Sequence, residues 1–213
     1  MPNPDSLAVM LASLALAALA AFQPPPQCAA AGRSVDQDPA GLNVRAAPST
    51  RARVLGRLHS VLDPEALHHG SRERYGPIFA IREARDGWVR ITDAAAEVEG
   101  ADGTVRRNYT GSGWVAAAMV EPTIVSMRSG DPGSRGYAGP DFSAAVADPD
   151  GLTNIERMRR LRRHPRIVAC RGAWVQLDYV RSGRLGANGR WVDFPARDRR
   201  PARAWFRSGD PGE

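Results

Sequence analysis

Two residue types able to carry nucleophilic chemistry stand close together in the second half of this chain, His164 and Cys170. An imidazole can deprotonate a thiol for attack on a carbonyl, but geometry rather than sequence proximity specifies such a pair. Flanked by Val168 and Ala169 on an expected strand, Cys170 reads instead as a small buried hydrophobe. His68-His69 is the one histidine cluster. Adjacent side chains diverge on helix and strand alike, and no Cys or carboxylate spacing completes a ligand set, so no metal is expected. The sequence has no nucleophile elbow, phosphate-cradling glycine loop or paired acid and base. The expectation is a protein that is not an enzyme and needs no cofactor.

Charge suggests a different chemistry. All 29 basic residues are arginine. Residues 32–150 hold 14 Arg against 16 acidic residues, whereas residues 151–213 hold 15 Arg against 6. The densest run lies between Ile155 and Arg166 and includes Arg159, Arg160, Arg162 and Arg163. Such a run suits anions: phospholipid or lipopolysaccharide phosphates, or the carboxylates of wall peptides. Charge runs are more often simply solvated faces. Ile155, Met158 and Leu161 recur every three residues, which predicts one amphipathic helical stretch ended by Pro165. In the first half, Tyr75 and Tyr109 are aromatics that the core does not need, and Trp114 could wall a groove beside them. Tyrosine offers a flat apolar body and a polar tip suited to a peptide groove, although rings of this kind are more often simply packing.

These residues need a frame, and repetition in the sequence supplies one. Four of the five tryptophans precede valine, as Trp88-Val89 with Trp114-Val115 and Trp174-Val175 with Trp191-Val192. Gly41-Leu42-Asn43-Val44-Arg45 echoes Gly151-Leu152-Thr153-Asn154-Ile155, and Arg53-Val54-Leu55-Gly56 echoes Arg166-Ile167-Val168-Ala169. Arg128-Ser129-Gly130-Asp131-Pro132-Gly133 recurs as Arg207-Ser208-Gly209-Asp210-Pro211-Gly212. One structural unit used twice is the simplest explanation. Short alternating runs between Gly and Pro predict strands, and Asp86-Gly87 predicts a hairpin.

Leu7 to Phe22 carries no charge, Pro24-Pro25-Pro26 stops any helix, and Ala29-Ala30-Ala31 supplies small residues for a signal peptidase. The run is shorter than the ~20 apolar residues of a membrane span, so residues 1–31 read as an export signal cleaved near Ala31. Cys28 would leave with it, Cys170 would remain alone, and no intramolecular disulfide is expected.

Gly41-Leu42-Asn43-Val44-Arg45-Ala46-Ala47-Pro48-Ser49, then Val54-Leu55-Gly56, Gly87-Trp88-Val89 and Gly113-Trp114-Val115, resemble the bacterial Src-homology-3-type (SH3-like) domain family. Over residues 144–206 the likeness is looser. Glu156 stands where Arg is expected, and Ala173 and Arg190 precede the tryptophans where glycine is expected. The resemblance implies an all-β fold of two small SH3-like barrels in tandem, residues 36–122 and a degenerate copy at 144–206. A Gly/Pro-rich linker at 123–143 would join them, with a disordered tail at 207–213. It further implies an exported, periplasmic or extracellular, non-catalytic module that binds a cell-wall peptide or other envelope component. The alternative is an interaction protein whose Arg-rich second half docks on an anionic membrane surface. Nucleic acid is not an expected partner, since an exported protein rarely meets it.

Overall fold

A computed structural model describes residues 28–36, 38, 40–59, 61–62, 74–99, 105–124, 132–160, 164–188 and 190–209. Among the described residues the architecture is all-β, with a single α-helix. The first half provides β1 (Ala30–Ser34), β2 (Leu42–Arg45), β3 (Val54–Leu58), β4 (Val61–Leu62), β5 (Arg74–Tyr75), β6 (Ile78–Arg85) and β7 (Trp88–Thr92). It continues with β8 (Glu97–Glu99), β9 (Val105–Arg107), β10 (Gly113–Ala116), a 3-10 turn (Ala117–Met119) and β11 (Val120–Pro122). Seven of these form one antiparallel sheet in the order β11-β1-β6-β7-β10-β2-β3, while β4–β5 and β8–β9 make two separate ribbons.

Local sequence explains the central strands. Along β7 the side chains run half-buried, buried, exposed, buried and half-buried, the two-residue period of a strand with one face on a core. Between β6 and β7, Asp86 and Gly87 take φ of 52° and 78°. Positive φ at both central residues is what a two-residue hairpin of right-handed twist needs, and Asp-Gly tolerates it best. A Cβ on Gly87 would meet nothing within 4 Å, so Gly87→Ala carries only a backbone penalty. It should lower stability in chemical denaturation by about 1 kcal/mol, with unchanged circular dichroism.

The second half provides β12 (Gly136–Tyr137), β13 (Val146–Asp148), α1 (Gly151–Arg160), β14 (Arg166–Arg171), β15 (Trp174–Arg181), β16 (Gly183–Leu185), β17 (Trp191–Asp193) and β18 (Arg200–Arg207). Its sheet runs β13-β12-β18-β15-β14, again antiparallel, and β16–β17 forms a ribbon between β15 and β18. One apolar cluster spans both halves, from Val44, Phe79, Ile81 and Val115 to Ile167, Val175, Leu177 and Phe206. Strand β14 packs on β6, β11 and the 3-10 turn, so the second sheet closes over the first.

The segment from Cys28 to Ser34 is the seam. Strand β1 lies between β6 and β11 and pairs with both. Ala29 N–H donates to Gly172 O at 2.7 Å. Ala31 N–H donates to Ser208 Oγ at 3.0 Å, and that hydroxyl lies 2.9 Å from Thr123 O. Cys28 is disulfide-bonded to Cys170. The free, lone Cys170 expected above is therefore wrong, and the bonded sulfur is no nucleophile. Cys28 and the inner strand β1, which the cleavage expected near Ala31 would remove or cut, are part of this arrangement. The small residues that suit a peptidase also suit a crowded strand: a Cβ on Gly32 would lie 2.9 Å from Ile81 Cδ1.

The halves differ in topology. Leu152–Ile155, read as the counterpart of strand β2, lies in helix α1, which begins at Gly151, four residues before the helical stretch expected from Ile155. Strand β14 makes a hairpin with β15, as β6 does with β7; it does not occupy the place of β3. Trp174 and Trp191 fall in different sheets, whereas Trp88 and Trp114 lie on neighbouring strands. Within the stretch expected to be a linker, Tyr137 is 3% exposed and pairs with Trp205. Arg207 ends β18 and Ser208 is buried, so the expected tail begins inside the fold.

Candidate functional site

Antiparallel register places directly opposed side chains on the same face of a sheet. On the first sheet Arg45, Trp114, Arg90 and Glu83 lie opposite one another across β2, β10, β7 and β6, and Ala116, Trp88 and Arg85 form the adjoining row. Val89, Ile91 and Val115 alternate with these rows and point into the core. The outward face is thus a patch of two indoles and three guanidiniums. Trp114 is largely covered, at 7% exposure, while Trp88 is half-buried.

The arginines are held in place. Arg85 Cζ lies 4.9 Å from the Trp114 ring centroid, and Arg85 Nε is 3.4 Å from Glu83 Oε1. Arg45 Nη1 donates to Ala52 O at 2.9 Å, and Arg90 Nε donates to Ser112 Oγ at 3.0 Å. A guanidinium over an indole is worth about 0.5–1 kcal/mol at an exposed site, and each pinned Arg keeps further N–H groups for an anionic partner. Among the described residues no group of three or more His, Cys, Asp or Glu is placed to share a metal ion.

Tyr109 adjoins the patch through Ser112, whose carbonyl accepts its hydroxyl at 3.3 Å. Its ring is wedged against two glycines: a Cβ on Gly56 would lie 2.6 Å from Tyr109 Cβ, and one on Gly111 would lie 2.5 Å from its hydroxyl oxygen. Tyr75 lies on β5 opposite Val61, and its side chain is outside the described residues. Arg159 and Arg160 end α1 with side chains outside the described residues, and Arg162 and Arg163 lie outside them altogether. The helix arginine whose placement is described, Arg157, has a structural role. Its guanidinium stacks 5.2 Å over Trp191 and donates to both Asp193 oxygens at 2.6 and 2.7 Å. The Trp191 indole N–H first, and then Arg157, hold the Asp193 carboxyl below the usual range.

The sequence reading missed Arg45, Arg85 and Arg90, although a signal was present. In a strand bounded by Asp86-Gly87, the alternation Trp88-x-Arg90 assigns both residues to the outward face.

A second polar centre lies under the other sheet. Asp148, nearly inaccessible, accepts the Tyr179 hydroxyl at 2.8 Å and the Asn154 amide at 3.2 Å. Asn154 Oδ1 in turn accepts Ser182 N–H at 2.9 Å. Burial first, and then the Asp148 charge, push the Tyr179 phenol far above its ordinary value. On the outer side of this sheet Asp178 lies between Arg203, at 2.5 Å, and Arg166, at 2.8 Å. Chiefly the Arg203 hydrogen bond keeps its carboxyl low.

The chain matches no protein-family model, no curated protein and no solved structure.

Proposed function

We propose that this chain is an exported, non-catalytic binding module whose first sheet is an SH3-like barrel that recognises a peptide of the cell envelope. The reading rests on the outward patch of Trp88, Arg45, Arg85 and Arg90 laid over the covered Trp114, in which Trp88 offers flat apolar surface and the anchored guanidiniums face a carboxylate-bearing peptide. Gly87-Trp88 leads into β7 and Gly113-Trp114 opens β10, two neighbouring strands, which supports that likeness. The disulfide accords with an oxidising compartment, where such bonds persist. On this reading the export signal ends before Cys28, and the second sheet is a clamp that holds β1 in place.

Isolated wall sacculi should retain the protein, and Trp88→Ala with Arg90→Gln should reduce retention about tenfold, equivalent to losing roughly 1.4 kcal/mol. Both residues lie on the outward face, so the variant should still fold cooperatively, with a lower melting temperature from truncating the half-buried Trp88. Undiminished retention by a folded double variant would overturn the assignment.

A second reading is favoured by one observation. Arg166, Arg171, Arg203 and Arg207 are exposed on a single face of the second sheet beside Trp174 and Trp205, a layout suited to an anionic membrane surface. Flotation with anionic vesicles separates the two, because wall retention without flotation excludes the membrane reading.

A further inference from the structure

Strands β15 and β18 run together for eight residue pairs and end on two arginines, Arg181 opposite Arg200. Their side chains fall on the face that carries Leu177 and Tyr179 from β15 and Ala204 and Phe206 from β18. Between these arginines the chain leaves the sheet, forms the β16–β17 ribbon and a 3-10 turn over Ala196–Asp198, and returns. A cleft of about 340 Å³ lies at the base of this excursion, lined by Arg181, Phe194, Asp198 and Arg200.

The walls are fastened. Phe194 N–H donates to Ser182 O at 2.7 Å, Arg199 Nε donates to Phe194 O at 3.4 Å, and Asp198 N–H donates to Pro195 O at 2.8 Å. Ser182 is tied to Asn154 and, through it, to the buried Asp148 centre.

Arg181 has unspent donor capacity. Its Nε is buried and makes no hydrogen bond among the described residues. The nearest carboxylate, Asp148 Oδ1, is 3.7 Å away, beyond hydrogen-bond distance, and Asp148 is already occupied by Tyr179, Asn154 and the Asp150 N–H. Asp148 therefore holds the guanidinium electrostatically without satisfying it. The side chain is 35% exposed, so the other N–H groups of this guanidinium remain open to a ligand oxygen from the cleft.

The four lining groups define the ligand. Two guanidiniums, a carboxylate and a phenyl ring share the wall of this cleft. Paired arginines select a carboxylate or phosphate, but the Asp198 charge opposes a dianion and favours a molecule that also carries an ammonium. The volume sits at the low end of ligand cavities, too small for an extended peptide.

We infer that this cleft binds a small aminocarboxylate, a free amino acid or dipeptide, with its carboxylate on Arg181 and Arg200, its ammonium on Asp198 and its apolar part against Phe194. The site lies on the opposite half of the molecule from the proposed envelope-peptide patch and does not depend on that reading.

Isothermal titration of the full protein with alanylalanine, its C-terminal amide, its N-acetyl form and inorganic phosphate tests the inference. Alanylalanine should bind with a Kd of about 1 mM or tighter. The amide should bind about tenfold more weakly, and so should Arg200→Gln with the free dipeptide. Asp198→Asn should remove the preference for the free over the N-acetylated amine. Arg200 and Asp198 are both exposed, so melting curves should match the parent. No heat of binding from alanylalanine overturns the proposal, as does binding that both variants leave unchanged. Phosphate binding as tight as the dipeptide also overturns it, reducing the cleft to a plain anion site.

Discussion

Cys170→Ala is expected to lower the free energy of unfolding by about 3–5 kcal/mol, and a reductant should produce the same loss in the parent protein but none in the variant. The bond joins residues 142 apart, a loop long enough for chain entropy alone to predict a value near the top of that range. Placement adds to the effect. Cys28 is the first described residue of the segment that enters β1, and Cys170 lies on β14, which packs across the first sheet. Without the bond, the seam depends on a few backbone contacts such as Ala29 to Gly172 and on the Ser208 hydroxyl. Strand β1 should then exchange its amide hydrogens faster than β7, which is bound between β6 and β10 by hairpin and register. A loss below about 1 kcal/mol would mean that the two sheets hold together by apolar burial alone.

How much of this was legible in the sequence depends on the range over which each signal acts. The β6–β7 hairpin was legible because Asp86-Gly87 is a local signal that by itself specifies the turn. The outward patch followed from the alternation of β7 once register was known, but register across β2, β10 and β7 joins residues up to seventy positions apart. The second half misled because its echo of the first was real as text and false as structure. Leu152-Thr153-Asn154-Ile155 resembles Leu42-Asn43-Val44-Arg45, yet Ile155 and Met158 continue a three-residue period into a helix, whereas Pro48 ends the first copy at once. Asn154 is turned inward on that helix to serve Asp148 and Ser182, a role with no counterpart in strand β2. The seam was illegible for a different reason. Small residues beside an apolar run fit both a cleavage site and a crowded inner strand, and only the partner at residue 170 distinguishes them.

The same helix and sheet surround the most consequential polar group in the second half. Asp148→Ala should destabilise the protein by about 3–5 kcal/mol, because it strands the Tyr179 hydroxyl, the Asn154 amide and the Arg181 guanidinium together. Tyr179→Phe removes only one donor and should cost about 1.5–3 kcal/mol at neutral pH. The two variants part company in alkali. The Tyr179 phenol is raised in the folded state, so above pH ~10 the unfolded chain gives up this proton while the folded chain keeps it. The unfolded state then binds fewer protons, and stability falls with rising pH by up to about 1.4 kcal/mol per unit. Tyr179→Phe should abolish that contribution and converge on the parent's stability as pH climbs from about 10. Urea titrations at neutral pH and in this alkaline window, with Asp148→Asn as a third variant, check the account. Asp148→Asn keeps an acceptor for Tyr179 but removes the charge that holds Arg181. Its cost should therefore exceed that of Tyr179→Phe while its alkaline slope stays close to the parent's, since burial is the larger cause of the shift and keeps the phenol raised without the carboxylate.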